Sequence, residues 1–235
     1  KEGQALQGHL TRLLEMQGLA RADGLQSNGS PNAQEWSDRL GREVWYSPPP
    51  LSQQEVSSPE NTDLDAEAEG FVAGRIQYWK GPTVLCEAQA QLGNDAPRID
   101  WAGRDTNYRS VGSSMSNYLS ETHPNVWGGS VRPVGQIAPE RVAERQAAAE
   151  FVVVPSLWDV FNYTAAEAMR AGSVVICSDG AGAADLITHG ENGFVFPAED
   201  AKALAGAIRT ASNLSQEERE SIGYVAQETV RQRLD

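Results

Sequence analysis

Asp159 and Glu167 follow a short apolar run, and their carboxylates are candidates for binding or catalysis. The run, residues 151–154, is β-branched and long enough for a buried strand. A helix is predicted over residues 165–171, with Thr164 as its N-cap and Glu167 at the capping-box position. A strand that leads through a loop into a helix directs backbone N–H groups and a partial positive charge to one point. The segment therefore predicts an anion or phosphate site that carries two carboxylates.

Two cations occupy a second segment of the same kind, in the pairs Gly74-Arg75 and Lys80-Gly81. This segment follows a predicted strand and precedes a predicted helix. Arginine can bind phosphate oxygens through two parallel N–H donors, and lysine acts as a point charge. Two cations near a turn are, however, more often solvated surface residues, so this segment alone does not identify a phosphate site.

The elements that must position these residues alternate between strand and helix from residue 69 onward. Six or more such alternations with apolar strands predict an α/β fold with a doubly wound parallel sheet. The predicted strands are 71–73, 98–102, 125–127, 151–154, 174–178 and 193–196. The predicted helices are 82–92, 113–119, 139–149, 165–171, 201–211 and 216–233, with a helical turn at 183–187.

The first 50 residues show a less regular pattern. An amphipathic helix is predicted over residues 1–20 from the spacing of its leucines. Strands are predicted near 25–28 and 43–47, and a helix over 31–40 with Ser30 as N-cap. Three consecutive prolines then predict a stiff linker, and a polar, acidic surface loop or partly disordered segment is predicted over residues 51–68.

The composition is that of an ordinary soluble protein, with 40% hydrophobic and 22% charged residues in a chain of 235. The formal net charge of −13 argues against a nucleic-acid binder. Cys86 and Cys177 lie in apolar runs, which favours buried thiols over a disulfide. The three histidines have no ligand partners at useful spacings, so no metal site is predicted.

The sequence shows no apolar run long enough for a transmembrane helix and no signal peptide. We therefore expect a cytoplasmic location, with peripheral attachment to the inner face of the membrane left open. Because the chain begins with Lys1, we expect it to be a fragment of a longer protein.

Residues 155–175 resemble the signature of the retaining GT-B glycosyltransferases known as group 1. That signature contains Pro-Ser, a Glu, a Phe, a second Glu eight residues after the first, then Ala-Met, Gly and Val. The matching residues here are Pro155-Ser156, Asp159, Phe161, Glu167-Ala168-Met169, Gly172 and Val175, with Asp replacing the first Glu. The family motif G-R-x-x-x-x-K-G is also matched in full, by Gly74-Arg75 and Lys80-Gly81.

The resemblance implies roles for these residues. Arg75 and Lys80 would bind the diphosphate of a nucleotide-sugar, and Glu167 would accept hydrogen bonds from the ribose hydroxyls. Asp159 would contact the transferred sugar, whose identity the shorter side chain leaves open. The resemblance assigns catalytic roles to Asp159, Arg75 and Lys80. The implied donor-binding residues are Gly74, Arg75, Lys80, Gly135, Ile137, Asp159, Phe161, Asn162, Tyr163, Thr164 and Glu167.

Further parts of the implied site are less specific. The turn 134–137 would read the nucleobase, and Asn162 stands where the family usually has a glycine that begins the donor turn. Arg104, after the strand 98–102, would face the same crevice or form a surface salt bridge. Asp185 would be a site residue or a helix cap, and the turn Asn192-Gly193 is expected to be structural.

The resemblance implies a Rossmann-like donor-binding domain at 69–212, followed by a C-terminal helix at 213–235 and preceded by a remnant of an N-terminal domain at 1–50. The implied activity is retaining, metal-independent sugar transfer from a UDP- or GDP-sugar to an acceptor that the sequence does not identify, without a cofactor. Because the acceptor-binding half is not in this sequence, we expect weak turnover by the chain alone. Two alternatives remain open: a non-hydrolysing nucleotide-sugar epimerase and a non-catalytic GT-B-like subunit.

Overall fold

A computed structural model describes residues 16–51, 68–108 and 112–234 of the chain. Most of the predicted helix over 1–20 and most of the predicted loop over 51–68 lie outside these residues. The chain divides into two compact units, Lys1–Pro49 and Pro50–Asp235, which are described separately.

The first unit contains a two-stranded parallel sheet formed by β1 (Gln26–Ser27) and β2 (Trp45–Tyr46), with helix α1 (Ser30–Leu40) between them. The predicted strands are thus present in shorter form. The prediction of Ser30 as N-cap is wrong, because Gly29 occupies that position in an extended conformation. The hydroxyl of Ser27 accepts a hydrogen bond from Gly29 N–H at 3.3 Å and stabilises this turn.

The second unit is built on a parallel sheet of six described strands in the order β5-β4-β3-β6-β7-β8. The strands are β3 (Gly70–Ala73), β4 (Ile99–Ala102), β5 (Val131–Gly135), β6 (Phe151–Val154), β7 (Val175–Ser178) and β8 (Phe194–Phe196). The order reverses between β3 and β6, so the crossover connections wind in both directions from the centre. This confirms the predicted doubly wound sheet and places the loops after β3 and β6 side by side.

Helices cover both faces of this sheet, which is why its strands are apolar on both sides. They are α2 (Pro82–Leu92), α3 (Met115–Thr122), α4 (Pro139–Ala148), α5 (Tyr163–Arg170), α6 (Ala201–Ser212) and α7 (Gln216–Leu234). One core joins α2, α3 and α6 to one face, and a second core joins α5 and α7 to the other. Among the described residues, no helix combines the length and apolar character needed to cross a bilayer.

The predicted strand at 125–127 is wrong, and the third strand of the sheet is β5 instead. The N–H groups of Val126 and Trp127 both bond to His123 O, at 3.0 and 2.9 Å, and close a turn after α3. Trp127 packs there against Trp101 in the core. β5 contains Pro133, which an edge strand tolerates because, among the described strands, β5 has a ladder partner on one side alone.

The buried carboxylate of Asp100 connects β4, β5 and α4. Arg132 Nε lies 2.9 Å from Asp100 Oδ1, and the guanidinium of Arg145 on α4 contacts Oδ2. Asp100 itself is inaccessible to solvent. A buried charge is stable only when paired, so this cluster holds α4 in register against the sheet.

The two cysteines are confirmed as buried free thiols. Burial raises the pKa of Cys86 to about 12, and it raises the pKa of Cys177 still further. The turn at Asn192-Gly193 is likewise structural. Asn192 is buried, accepts a hydrogen bond from Thr188 N–H at 2.7 Å and donates one to Leu186 O at 3.0 Å.

Candidate functional site

A cavity of about 500 Å³ opens at the carboxyl ends of β3, β4 and β5, beside α4 and α5. Parallel sheets bind ligands at this edge, next to the point where the strand order reverses. Its floor is apolar and includes Ala73, Ala102 and Val142. Its polar lining comprises Arg75, Arg104, Gln136, Gln146, Thr164, Glu167 and Arg170.

The loops after β3 and β4 run side by side and carry two cations at the rim of this cavity. Ile76 N–H donates to Arg104 O at 3.0 Å, and the Thr106 hydroxyl donates to Ile76 O at 2.8 Å. A Cβ at Gly103 would lie 1.9 Å from Gly74 O, so the close approach requires glycine. Within the described part of the chain, neither Arg75 nor Arg104 forms an ion pair, which leaves both guanidinium groups available to an anion.

Lys80 and Asp159 meet outside the cavity. Lys80 ends a 3₁₀ helix, Tyr78–Lys80, and its Nζ contacts Asp159 Oδ2, with each side chain 22% exposed. Asn162 Nδ2 lies 3.3 Å from the same oxygen. We call Lys80, Asp159 and Asn162 the lip of the site. Lys80 follows the cavity residue Arg75 along the chain after β3, and Asn162 caps the helix that contains the cavity residue Thr164.

Main-chain contacts brace the two loops that form the lip. Gly81 has φ +73°, and a Cβ there would lie 1.7 Å from Pro155 O, so no larger residue fits without displacement. Leu157 N–H donates to Trp79 O at 2.8 Å, and Asp159 N–H donates to Gly180 O at 2.9 Å. The backbone of Asp159 is therefore fixed by the main chain, and its carboxylate is held by Lys80 and Asn162.

The N-cap of α5 is Asn162, not Thr164 as the sequence predicted. Asn162 has φ +75°, a left-handed conformation, and its Oδ1 accepts a hydrogen bond from Ala165 N–H at 3.2 Å. Asparagine adopts this conformation more readily than other non-glycine residues. Thr164 lies inside the helix, so the predicted capping box with Glu167 is not formed. The N–H groups of Tyr163 and Thr164 have no acceptor among the described residues and remain at the open end of the helix.

Glu167 lies one turn into α5 and lines the cavity. Burial raises the pKa of this carboxyl group, while Arg170 acts in the opposite direction. Ionised Glu167 is thus only partly compensated by the protein. Such a carboxylate is a good acceptor for hydroxyl donors of a ligand.

Some of the remaining predicted site residues line the cavity, and others lie beside it. Ile137 lines the cavity, as does Gly74, whereas Gly135 does not. Phe161 is buried, and its ring packs edge-on against Tyr163 at 5.4 Å, so Phe161 can offer a ligand only its backbone. Tyr163 is 48% exposed.

Sequence reasoning missed Gln146 on α4, which lines the cavity while being only 1% exposed. One signal was present: Gln146 follows Val142 by four residues, so both share one face of a helix that packs on the sheet. Within the described residues, no group of three or more His, Cys, Asp or Glu side chains could hold a metal ion.

Residues 58–229 match the family model of the glycosyl transferases of group 1. The chain belongs to this family. It is 31% identical over 147 residues to D-inositol 3-phosphate glycosyltransferase of Nocardioides sp., an alignment covering 58% of this chain and 32% of that protein. It is 27% identical over 175 residues to α-maltose-1-phosphate synthase of Mycolicibacterium smegmatis, covering 72% and 44%.

Solved structures share the fold. Sucrose-phosphate synthase of Thermosynechococcus elongatus superposes with a TM-score of 0.77 at 25% identity, covering 95% of this chain and 57% of that one. Anabaena HepE in complex with UDP and glucose gives 0.73 at 21% identity, covering 91% and 60%. The alignments thus cover 32% and 44% of the two curated relatives. They cover 57% and 60% of the two solved chains.

Proposed function

We propose that this glycosyltransferase chain supplies the donor-binding half of an enzyme that transfers sugar from a UDP- or GDP-sugar with retention of configuration. The observation that carries the proposal is the convergence of Arg75, Thr164 and Glu167 on one cavity beside the Lys80–Asp159 lip. The HepE structure, which has the same fold, is a complex with UDP, and this supports a nucleoside diphosphate as the ligand.

The diphosphate would bind between the two loops. Arg75 offers a forked set of N–H donors, Lys80 offers a point charge, and the open N-terminus of α5 offers the N–H groups of Tyr163 and Thr164. These fixed donors would stabilise the charge that develops on the leaving group, the part that a metal ion plays in other transferases. We therefore propose a metal-independent reaction without a cofactor.

The nucleoside would occupy the cavity. Glu167 has two carboxylate oxygens at the cavity wall, which suit the vicinal hydroxyls of ribose. Ile137 and the apolar floor would pack against the base, and the turn after β5 would present backbone groups to its edge. In this arrangement the diphosphate would lie toward the lip and the base away from it.

The transfer step would be a front-face displacement at the anomeric carbon. The bond from C1 to the β-phosphate oxygen breaks, and the acceptor oxygen bonds to C1 on the same face. The acceptor proton passes to the departing phosphate oxygen. Asp159 is already bound to Lys80 and Asn162, which favours a role in holding the sugar over a role as nucleophile.

The acceptor would bind to a part of the enzyme that lies outside this chain. Because the chain spans only part of its relatives' length, we expect it to bind the donor but to transfer sugar slowly alone. The acceptor could be a glycan, a lipid or a small molecule.

Calorimetric titration with UDP and with GDP tests the proposal. We expect saturable binding of at least one of them, weakened about tenfold or more by Arg75→Ala, since a charge-assisted contact is lost. Arg209→Ala is the charge-matched control, because Arg209 is exposed on α6 and does not line the cavity. No binding of either nucleotide at millimolar concentration would overturn the donor-site assignment.

A further inference from the structure

Gln146 is a buried polar residue whose role the proposed function leaves unexplained. Of the ten residues of α4, it is the one that is buried, and it occupies a position facing the sheet where an apolar residue would ordinarily pack. It is also part of the cavity wall. A glutamine at this position needs a reason, because burying an amide is unfavourable unless its hydrogen bonds are made.

The contacts of Gln146 fix the orientation of its side chain. Nε2 lies 3.3 Å from Thr164 O, a carbonyl that can only accept, so the amide nitrogen must face α5. The backbone oxygen of Gln146 accepts a hydrogen bond from the Ser173 hydroxyl at 2.7 Å, which anchors the residue from the other side. No described residue donates to Oε1. The cavity wall therefore carries an oriented acceptor that has no donor in the described part of the chain.

Gln89 on α2 is a useful contrast. It is also 1% exposed, its Nε2 donates to Pro97 O at 3.1 Å, and its Oε1 has no partner among the described residues. Gln89, however, does not line the cavity. An unpaired amide oxygen is thus not by itself a binding site, and what distinguishes Gln146 is access to the ligand cavity.

We propose that Gln146 Oε1 accepts a hydrogen bond from the ring N–H of the nucleobase, so that the cavity selects uracil or guanine over cytosine or adenine. This inference rests on the proposed function and refines it. Uracil presents N3–H and guanine presents N1–H on the edge that is read, whereas cytosine N3 and adenine N1 are acceptors. One Nε2 hydrogen is directed at Thr164 O, which fixes the plane of the amide, so the atom that Gln146 would present to the base is Oε1. A cytosine or adenine edge would then place two acceptors face to face.

The surroundings are consistent with this assignment. Glu167, the proposed ribose acceptor, lies on α5 one turn from Thr164, to which Gln146 is bonded. Arg104 lies at the rim of the same cavity and is a donor that a base carbonyl can use. Uracil and guanine each place a carbonyl next to the ring N–H, and a site built to pair with such an edge rejects analogues that lack it.

UDP and CDP provide the sharpest test, because they have the same size and differ at N3 and at the adjoining exocyclic group. We expect the wild-type chain to bind UDP about tenfold or more tightly than CDP, and GDP likewise more tightly than ADP. Gln146→Met keeps the volume and removes the acceptor, so the UDP-to-CDP ratio should fall toward one, mainly through weaker UDP binding.

Gln89→Met is the matched control, a buried glutamine of the same exposure away from the cavity, and it should leave the ratio unchanged. Circular dichroism of each variant verifies folding before titration. An unchanged ratio in a folded Gln146→Met, or a wild-type preference for CDP or ADP, overturns this inference while leaving the donor site intact. Failure of the wild type to bind any of the four nucleotides overturns the donor site as well.

Discussion

The cavity and the lip are neighbours at the carboxyl edge of the sheet, but different contacts shape them. The lip is braced by main-chain contacts, with Gly81 against Pro155 and Leu157 bonded to Trp79. The cavity is shaped by side chains, and its polar lining includes Arg75 and Arg104, which form no ion pair with the described residues, and Glu167, whose charge is only partly compensated. The lip is thus positioned by its backbone, whereas the cavity keeps polar side chains available for a ligand.

Gly81→Ala should have the largest effect, because it attacks the brace of the lip. The added Cβ would meet the carbonyl of Pro155 at 1.7 Å in a left-handed conformation, and we expect a loss of about 3 kcal/mol or more of unfolding free energy. Gly190→Ala is the control, since its φ is +83° and no atom lies within 4 Å of the added Cβ; it should cost only about 1 kcal/mol. Urea denaturation measures both, and equal losses would mean that the brace contributes nothing.

Lys80→Met tests the charge of the lip. It should weaken UDP binding about 30-fold while leaving uridine binding unchanged, because only the phosphates contact the lip. Asp159→Asn should strengthen UDP binding, because it frees Lys80 from its carboxylate partner. Calorimetry with UDP and uridine separates these contributions, and equal weakening of both ligands by Lys80→Met would place Lys80 beside the nucleoside instead.

Asn162 tests the turn that joins the lip to the cavity. Asn162→Ala removes the cap of α5 and keeps the positive φ, so we expect a loss of about 2 kcal/mol. Asn162→Gly also loses the cap, but glycine adopts the positive φ without strain. Its free energy of unfolding should therefore lie within about 1 kcal/mol of the wild-type value. Thermal unfolding of the pair checks this, and an Ala variant as stable as the Gly variant would contradict it.

Glu167→Gln tests the cavity and should have the smallest effect, weakening UDP binding about fivefold. The same substitution should stabilise the folded chain at neutral pH. Since burial raises the pKa of Glu167, the folded chain holds this proton more tightly than the unfolded chain. That contribution to stability is greatest below the ordinary carboxyl pKa and is lost as pH rises through the raised pKa.

Glutamine does not titrate, so Glu167→Gln should melt at a higher temperature than wild type at neutral pH, with the difference shrinking in acid. Thermal unfolding between acidic and neutral pH measures this. A variant that melts lower at neutral pH would show that the carboxylate is stabilised by partners in the folded chain.

Much of the sheet could be predicted from local sequence, because buried parallel strands are continuous apolar runs, as at Phe151–Val154. β5 was missed because it is an edge strand containing Arg132 and Pro133, so it lacks that pattern. The N-cap of α5 was misplaced by two residues, because threonine fits the capping-box pattern and asparagine in a left-handed turn competes with it.

The site was less accessible to sequence reasoning. The roles given to Arg75, Lys80, Asp159 and Glu167 remain predictions, and the structure adds which of them are neighbours. No local pattern reveals that Lys80 and Asp159 are paired, because the contact depends on β3 lying beside β6. Gln146 was overlooked for a related reason: its spacing from Val142 places it on the face of α4 toward the sheet, but only the fold shows that a cavity adjoins it.

The Lys80–Asp159 contact also has a consequence for how the protein folds. Its partners are 79 residues apart in sequence and are brought together by a parallel strand pairing. Closing so long a loop costs chain entropy before any contact rewards it, and parallel pairings of this kind form slowly. We therefore expect the lip to assemble late in folding, so that a nascent chain acquires its phosphate-binding groups only after synthesis has passed β6.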